Sequence, residues 1–290
     1  MLFVSQFINA LQLGSIYALI ALGYSMVYGI IKLLNFAHGD VIMVGGYIAI
    51  FTLAAGFHPA SMIILVVLGC TALAVLMEKL AYTPLRNAPR ISVLITAIGI
   101  SLLLQNLAQF FIGARPRPVH IPFPVGSLNI GEVSLAYPML ITIGVAVLSM
   151  LALNYTVKRT KLGKAMRAVS EDTEAAQLMG INVNSVITFT FAVGAALAGI
   201  GAILYFVRFP VVTPTVGAML GLKAFIAAVL GGIGSIPGAM LGGFAIGFLE
   251  VIVNSVGLSR WADGAVFLVL IIILLVRPAG LVGKQVIEKV

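Results

Sequence analysis

One cysteine, Cys70, one tryptophan and three histidines are all that this 290-residue chain offers among the residue types that build disulfides and most metal centres. A single thiol excludes a disulfide framework within the chain, and Cys70 lies in an apolar stretch where a small buried hydrophobe is the ordinary reading. His38, His58 and His120 are far apart in the order of the chain, and none has a second ligand at metal spacing. Charge is scarce too. Asp, Glu, Lys and Arg together make up 9% of residues, and only 9 of them are acidic. So few carboxylates allow no catalytic pair to be named. None of the patterns G-x-x-x-x-G-K-[ST], H-E-x-x-H or G-x-S-x-G occurs, which excludes a P-loop and leaves no zinc-protease or serine-hydrolase site to assign. The chain is not expected to be an enzyme, nor to hold a metal or cofactor of its own.

What is abundant is apolar sequence: 61% of residues are hydrophobic and the mean hydropathy is +1.16. That composition lies outside the soluble range and describes an integral membrane protein. The net charge of +8 does not point to nucleic acid, because the basic residues sit beside apolar spans, as orientation signals do. The N-terminus MLFVSQF has neither a basic n-region nor a small-residue cleavage site, so the first span is expected to remain in the mature chain. A spanning helix needs about 20 mostly apolar residues. That window predicts spans near 7-31, 41-57, 60-82, 91-113, 136-157, 185-207, 218-234, 237-256 and 262-276. The expected fold is an all-α polytopic transmembrane bundle of about 8-9 spans, one domain over 1-290. The pair 218-234 and 237-256 reads as either a full or a re-entrant hairpin.

Alternating sides then fix the orientation. One side collects Lys32, Lys79, Arg86, Arg90, Lys158, Arg159, Lys161, Lys164, Arg167, Arg277, Lys284 and Lys289, twelve in all; the other holds Arg115, Arg117, Arg208 and Arg260. The positive-inside rule places the loop 158-184 in the cytoplasm and the N-terminus outside. The loop 114-135 is then external, and Pro116, Pro118, Pro122 and Pro124 favour extended or polyproline backbone over helix. It suits a docking ledge or a rigid connector equally well.

Within the inner loop, SEDTEAAQLMG (residues 170-180) is a polar, helix-forming island with no use inside a bilayer. Ser170 is the expected N-cap, Glu171, Asp172 and Glu174 are expected in the first turn where the macrodipole favours anions, and Gly180 is expected as the left-handed closing residue.

Three further features carry polar or small residues into the spans. Lys223 and Glu250 are charges deep in apolar sequence, expected to form an ion pair across the 218-256 hairpin. Asn35, His38 and Asp40, in NFAHGD, form a polar break that either faces a translocation route or is an ordinary turn. Gly231, Gly232, Gly234 and Pro237, in GGIGSIPG, form a second break. Around it stand Gly217/Gly221, Gly238/Gly242 and Gly243/Gly247 at G-x-x-x-G spacing, which serves either close helix packing or an interrupted pathway.

Taken in order, YALIALGYSMVYGIIKLLNFAHGD, the EAA segment Glu174 to Gly180, and GLKAFIAAVLGGIGSIPGAMLGG at 221-243 resemble the LivH-type permease subunit of branched-chain amino-acid ABC importers. The resemblance covers nearly the whole chain and rests on the three blocks in combination. It implies a multi-pass subunit of the bacterial inner membrane that forms half of a translocation pathway beside a second related permease. Two cytoplasmic ATP-binding subunits would lie below and a periplasmic or external solute-binding protein above. ATP would then be bound by partner chains, and the cargo would be a branched-chain or related amino acid. It further implies that the EAA segment is the coupling helix, with Glu174, Ala175, Ala176 and Gly180 docked on an ATPase. The following INVNSVITF lacks the proline many relatives carry there. A gradient-driven transporter or channel for small polar solutes is the alternative reading, though such a protein has no need of a cytoplasmic EAA helix.

Overall fold

Each of the nine apolar stretches forms a helix in the computed structural model, which describes residues 2-32, 34-86, 88-124, 126-130, 133-277 and 279-283. In chain order the long elements are α1 (Leu2–Ile31), α2 (His38–Ala54), α3 (Pro59–Met77, continued by a π-turn Glu78–Tyr82), α4 (Arg90–Ile112) and α5 (Tyr137–Arg159). Two short helices follow, α6 (Lys161–Glu171) and α7 (Thr173–Leu178), then α8 (Val183–Arg208), α9 (Val216–Gly231), α10 (Ile236–Ser255) and α11 (Ala262–Val276). Lys284 and Lys289, counted above on the basic side, lie outside the described residues, as do Val125, Gly131 and Glu132 of the proline-rich loop.

That loop is extended. β1 (Arg117–Pro118) pairs antiparallel with β4 (Val211–Val212), while β2 (Ser127–Ile130) and β3 (Val133–Ala136) form a hairpin. Proline is tolerated here because the strands are short and at an edge.

Seven of the helices are long and apolar enough to cross a membrane. Two of these, α1 and α8, form the centre: 78% and 67% of their apolar windows are buried, against 11% for α11. Small residues bring the backbones together. Glycines Gly243 and Gly247 of α10 lie on Ala18 and Gly14 of α1, Gly194 of α8 lies on Gly23, and Gly199 lies on Val67 and Cys70 of α3. Lipid gives apolar surfaces little reason to associate, so close van der Waals approach does that work instead. All three G-x-x-x-G pairs are used this way, each on a different neighbour: Gly217/Gly221 on Gly39 of α2, Gly238/Gly242 on Gly231 and Ala227 of α9, and Gly243/Gly247 on α1.

Neither α2, with 17 residues, nor α9, with 16, would span on its own, since each measures only about 25 Å against a hydrocarbon core of about 30 Å. Both begin inside the bundle. His38 lies beside Gly23, eight residues before the end of α1, so the chain has turned back into the bundle before α2 starts. The first turn of α9 meets the first turn of α2, where a Cβ on Gly39 would stand 2.0 Å from the Gly217 carbonyl oxygen. Residues 209-215, with the short strand Val211–Val212 and a turn at 214-215, connect α8 to α9. The bend between α9 and α10 lies beside Gly29, near the end of α1.

Candidate functional site

The polar island is two helices rather than one. Thr160 caps α6 by accepting from Gly163 N at 3.0 Å, and α6 runs on through Ser170 to Glu171 with Gly163, Met166 and Val169 buried against the bundle. The chain then breaks at Asp172, which is extended, and its carboxylate accepts from Glu174 N and Ala175 N, both at 2.9 Å. Asp172, not Ser170, is the N-cap. The reason is backbone: Ser170 is still helical inside α6, with its hydroxyl donating to Arg167 O at 2.8 Å, while Asp172 is extended and can satisfy two orphan amides at once. Glu171 accordingly ends α6 instead of opening α7, and Glu174 is the acid in the first turn.

Closure of α7 is a Schellman arrangement. Gly180, at φ +82°, donates to Gln177 O at 2.9 Å, and Ile181 N donates to Ala176 O at 3.0 Å. Asn182 then caps α8 through Ser185 N at 3.1 Å, so the turn into α8 needs no proline. Of the six residues of α7, Ala176 alone is buried; Leu178 and the adjoining Met179 are 88% and 82% exposed. The result is a short, doubly closed helix that presents an apolar tip on the basic end of the bundle, joined through α6 to α5 and directly to α8.

Across the hairpin, Lys223 Nζ lies 3.1 Å from Glu250 Oε2 and 2.8 Å from Asp263 Oδ1 on α11. Tyr17 of α1 donates its hydroxyl to the same Glu250 oxygen at 2.8 Å and accepts from Lys223 at 3.3 Å. Four helices thus meet at one ammonium. Sequence reasoning identified two members of this cluster and missed Tyr17 and Asp263, because neither lies at a readable spacing from Lys223.

The break at NFAHGD is an interior feature, with Asn35, His38 and Asp40 at 5%, 3% and 0% exposure. Asn35 accepts from the Tyr82 hydroxyl at 2.9 Å, and Asp40 accepts from Gln105 of α4 at 3.1 Å. Irregular backbone at this depth survives because protein surrounds it. Gly231 and Gly232 let α9 approach Gly238 and the C-terminal segment, where Leu281 N and Val282 N donate to Leu230 O and Gly231 O. Ser235 caps α10 with Pro237 in its first turn, and Gly234 N takes the Ser25 hydroxyl as acceptor at 3.0 Å.

A buried carboxylate escaped the sequence reading altogether. Glu78 is wholly buried in the π-turn, pairs with Arg86, and accepts from Thr83 at 2.7 Å and from Thr188 of α8 at 2.9 Å. Arg86 also reaches Asn184. Glu78 falls inside the predicted span 60-82, next to Lys79, one of the orientation charges. Among the described residues no group of His, Cys, Asp and Glu is arranged to hold a metal ion.

A bundle of this kind, with shortened helices that begin in its interior, backbone contacts at glycine and a capped polar helix at its basic end, has the form of a membrane transport subunit. The family described as "Branched-chain amino acid transport system / permease component" matches residues 6–275, and the chain belongs to it. It is 41% identical to the high-affinity branched-chain amino acid transport system permease protein BraD of Pseudomonas aeruginosa, over 99% of this chain and 98% of that protein. Identity is 40% to the LivH permease proteins of Salmonella typhimurium and Escherichia coli, again over 99% of this chain and 98% of each relative. No solved structure matches the chain. The protein is a multi-pass transport permease and not itself an enzyme.

Proposed function

We propose that this permease passes branched-chain amino acids inward across the bacterial inner membrane, driven by ATP hydrolysed on partner subunits that grip α7. The observation that carries this reading is α7 itself: a helix held by one buried alanine, closed at both ends, with Leu178 and Met179 exposed. An apolar tip rimmed by polar residues is the form of a protein contact. Glu174, Ala175, Ala176 and Gly180 stand at the positions of the EAA pattern, and small alanines permit close docking.

Motion follows from the covalent links. Closure of two ATP-binding subunits displaces α7, and the capped turns at Asp172 and Asn182 pass that displacement to α5 and α8 without melting. Because α8 packs on α1, α2 and α3, its tilt reaches the central contacts of the bundle. In this reading the basic end is cytoplasmic, a second related permease completes the pathway, and an external solute-binding protein supplies the cargo. ATP is held entirely by the partners.

The test is uptake by the reconstituted complex, with binding protein and ATPases present, against a panel of amino acids with and without ATP. ATP-dependent uptake of leucine, isoleucine and valine is expected. Uptake that persists without the ATPases, or a preference for amides or urea, would sink the proposal.

A further inference from the structure

At the end of the bundle opposite α7, the start of α1, the start of α5 and the end of α8 enclose an open cavity of about 400 Å³. Its chemistry is mixed. Arg208, Asn9 and Gln12 line it together with the apolar Ile8, Met139 and Val207.

The polar groups have no internal use. Among the described residues Arg208 makes no ion pair, and no carboxylate lines the cavity. Gln12 is only 4% exposed, yet its amide forms no hydrogen bond with any described residue. That amide is not sealed in the interior but reaches the open cavity, where a polar group that enters can take its hydrogen bonds. The first turn of α5 opens onto the same space with no side-chain cap; Tyr137 N donates to Gly126 O at 3.0 Å and Pro138 has no N–H, so what it adds is the positive end of the helix dipole. The exposed guanidinium of Arg208, two amides and the positive end of a helix dipole together favour an anionic oxygen pair. The amide carbonyls of Asn9 and Gln12 can accept from an ammonium beside it, and the apolar lining suits an aliphatic chain.

We propose that this cavity is a binding station for the zwitterionic head of an α-amino acid, its carboxylate held by Arg208 and Gln12 and its side chain on Ile8, Met139 and Val207. The inference rests on the proposed transport of branched-chain amino acids and deepens it: the permease itself recognises the head group at the mouth where cargo is released, before the central helices are reached. The cavity's volume lies within the range of ordinary small-molecule sites.

The experiment uses the complete transporter in vesicles, with Asn9→Cys as a reporter and a membrane-impermeant maleimide. Cys70 is buried and does not compete. L-leucine is expected to slow labelling in proportion to its occupancy, by about threefold at twice its dissociation constant. Leucinamide, which keeps the ammonium and side chain but lacks the carboxylate, should not protect. Arg208→Gln should raise the half-protecting leucine concentration by about tenfold or more, the change expected when a charge-assisted pair is lost, and Arg208→Lys by less. Absence of labelling, equal protection by leucinamide, or protection unchanged in Arg208→Gln would each overturn the proposal. ATP-driven leucine uptake by the unsubstituted complex, measured in parallel vesicles, separates the outcomes: uptake without protection removes the station and leaves the transport reading standing, whereas failed uptake removes the transport reading itself.

Discussion

Asp263, at the start of α11, places its Oδ1 2.8 Å from Lys223 Nζ on α9, and so makes the intramembrane ion pair with Glu250 a three-charge cluster. The two carboxylates are not equivalent. Side-chain exposure is 12% for Glu250 and 52% for Asp263, so water screens the second and the first depends on its partners. Lys223→Met should therefore cost about 3–5 kcal/mol by leaving Glu250 buried without its cation. Asp263→Asn should cost less than about 1 kcal/mol. Thermal unfolding of the purified permease in detergent reads both. The geometry also changes what a charge swap can do. In Lys223→Glu with Glu250→Lys, the new glutamate faces Asp263, so full rescue is expected only when Asp263→Asn is added; a complete rescue by the simple swap would show that Asp263 is not engaged.

Gly39 offers a sharper test of the interior start of α2. Its missing Cβ would stand 2.0 Å from Gly217 O and 2.6 Å from Gly221 N, all backbone, so no side chain can yield. Gly39→Ala should push α2 and α9 apart and lower stability by about 1–3 kcal/mol, the usual cost of overpacking. Gly99 and Gly144 supply controls on the same chain, because nothing stands within 4 Å of a Cβ at either. Alanine there should be neutral or stabilise by up to about 1 kcal/mol, as removal of a mid-helix glycine does. Equal thermal midpoints for all three variants would contradict the packing.

At α7 the two candidate caps separate cleanly. Asp172→Ala removes the acceptor of two amides and should weaken the helix by about 1 kcal/mol, whereas Ser170→Ala should change little. Gly180→Val forces a β-branched residue to φ +82° and undoes the turn into α8. Transport-stimulated ATP hydrolysis and uptake are expected to fall in Asp172→Ala and Gly180→Val, with membrane insertion intact. Ala175→Asp should act at the docking surface itself, since Ala175 is exposed and its change leaves the fold undisturbed. Full coupling in Gly180→Val and Ala175→Asp together would rule out α7 as the handle.

The helices were legible in the sequence because lipid enforces them: apolar runs of spanning length leave the backbone no other way to satisfy itself. Runs near 41-57 and 218-234 were already shorter than a full span in the sequence, but that α2 and α9 begin inside the bundle depends on the chain turning back beside Gly23 and Gly217, which the sequence does not show. The cap at Asp172 was invisible for a different reason. Ser170 and Asp172 are both good caps two residues apart, and only where α6 breaks, at Asp172, decides between them. Tyr17 and Asp263 lie 206 and 40 positions from Lys223, and periodicity carries no information across such distances. Glycine spacing was legible as a pattern, but the pairing of each G-x-x-x-G with a different helix required the fold.

Glu78 gives the most exacting of the predictions, because its two partners differ in how easily they can be lost. Its side chain is 1% exposed, against 19% for Arg86. Released from the pair, Arg86 can turn to water and to Asn184, whereas Glu78 would remain buried with only the hydroxyls of Thr83 and Thr188. Removing the cation should thus be worse than neutralising the anion. Arg86→Ala is expected to destabilise by about 3–5 kcal/mol, and Glu78→Gln by roughly half of that, since the amide keeps an acceptor for one threonine. Thr188→Val tests the link to α8, with an expected loss of about 1 kcal/mol. Because Thr188 lies six residues past Asn182, that link ties the first turns of α8 to the end of α3. Double-mutant cycles between Thr188→Val and Glu78→Gln should therefore show coupling, and additive losses would mean that the π-turn and α8 are fastened elsewhere.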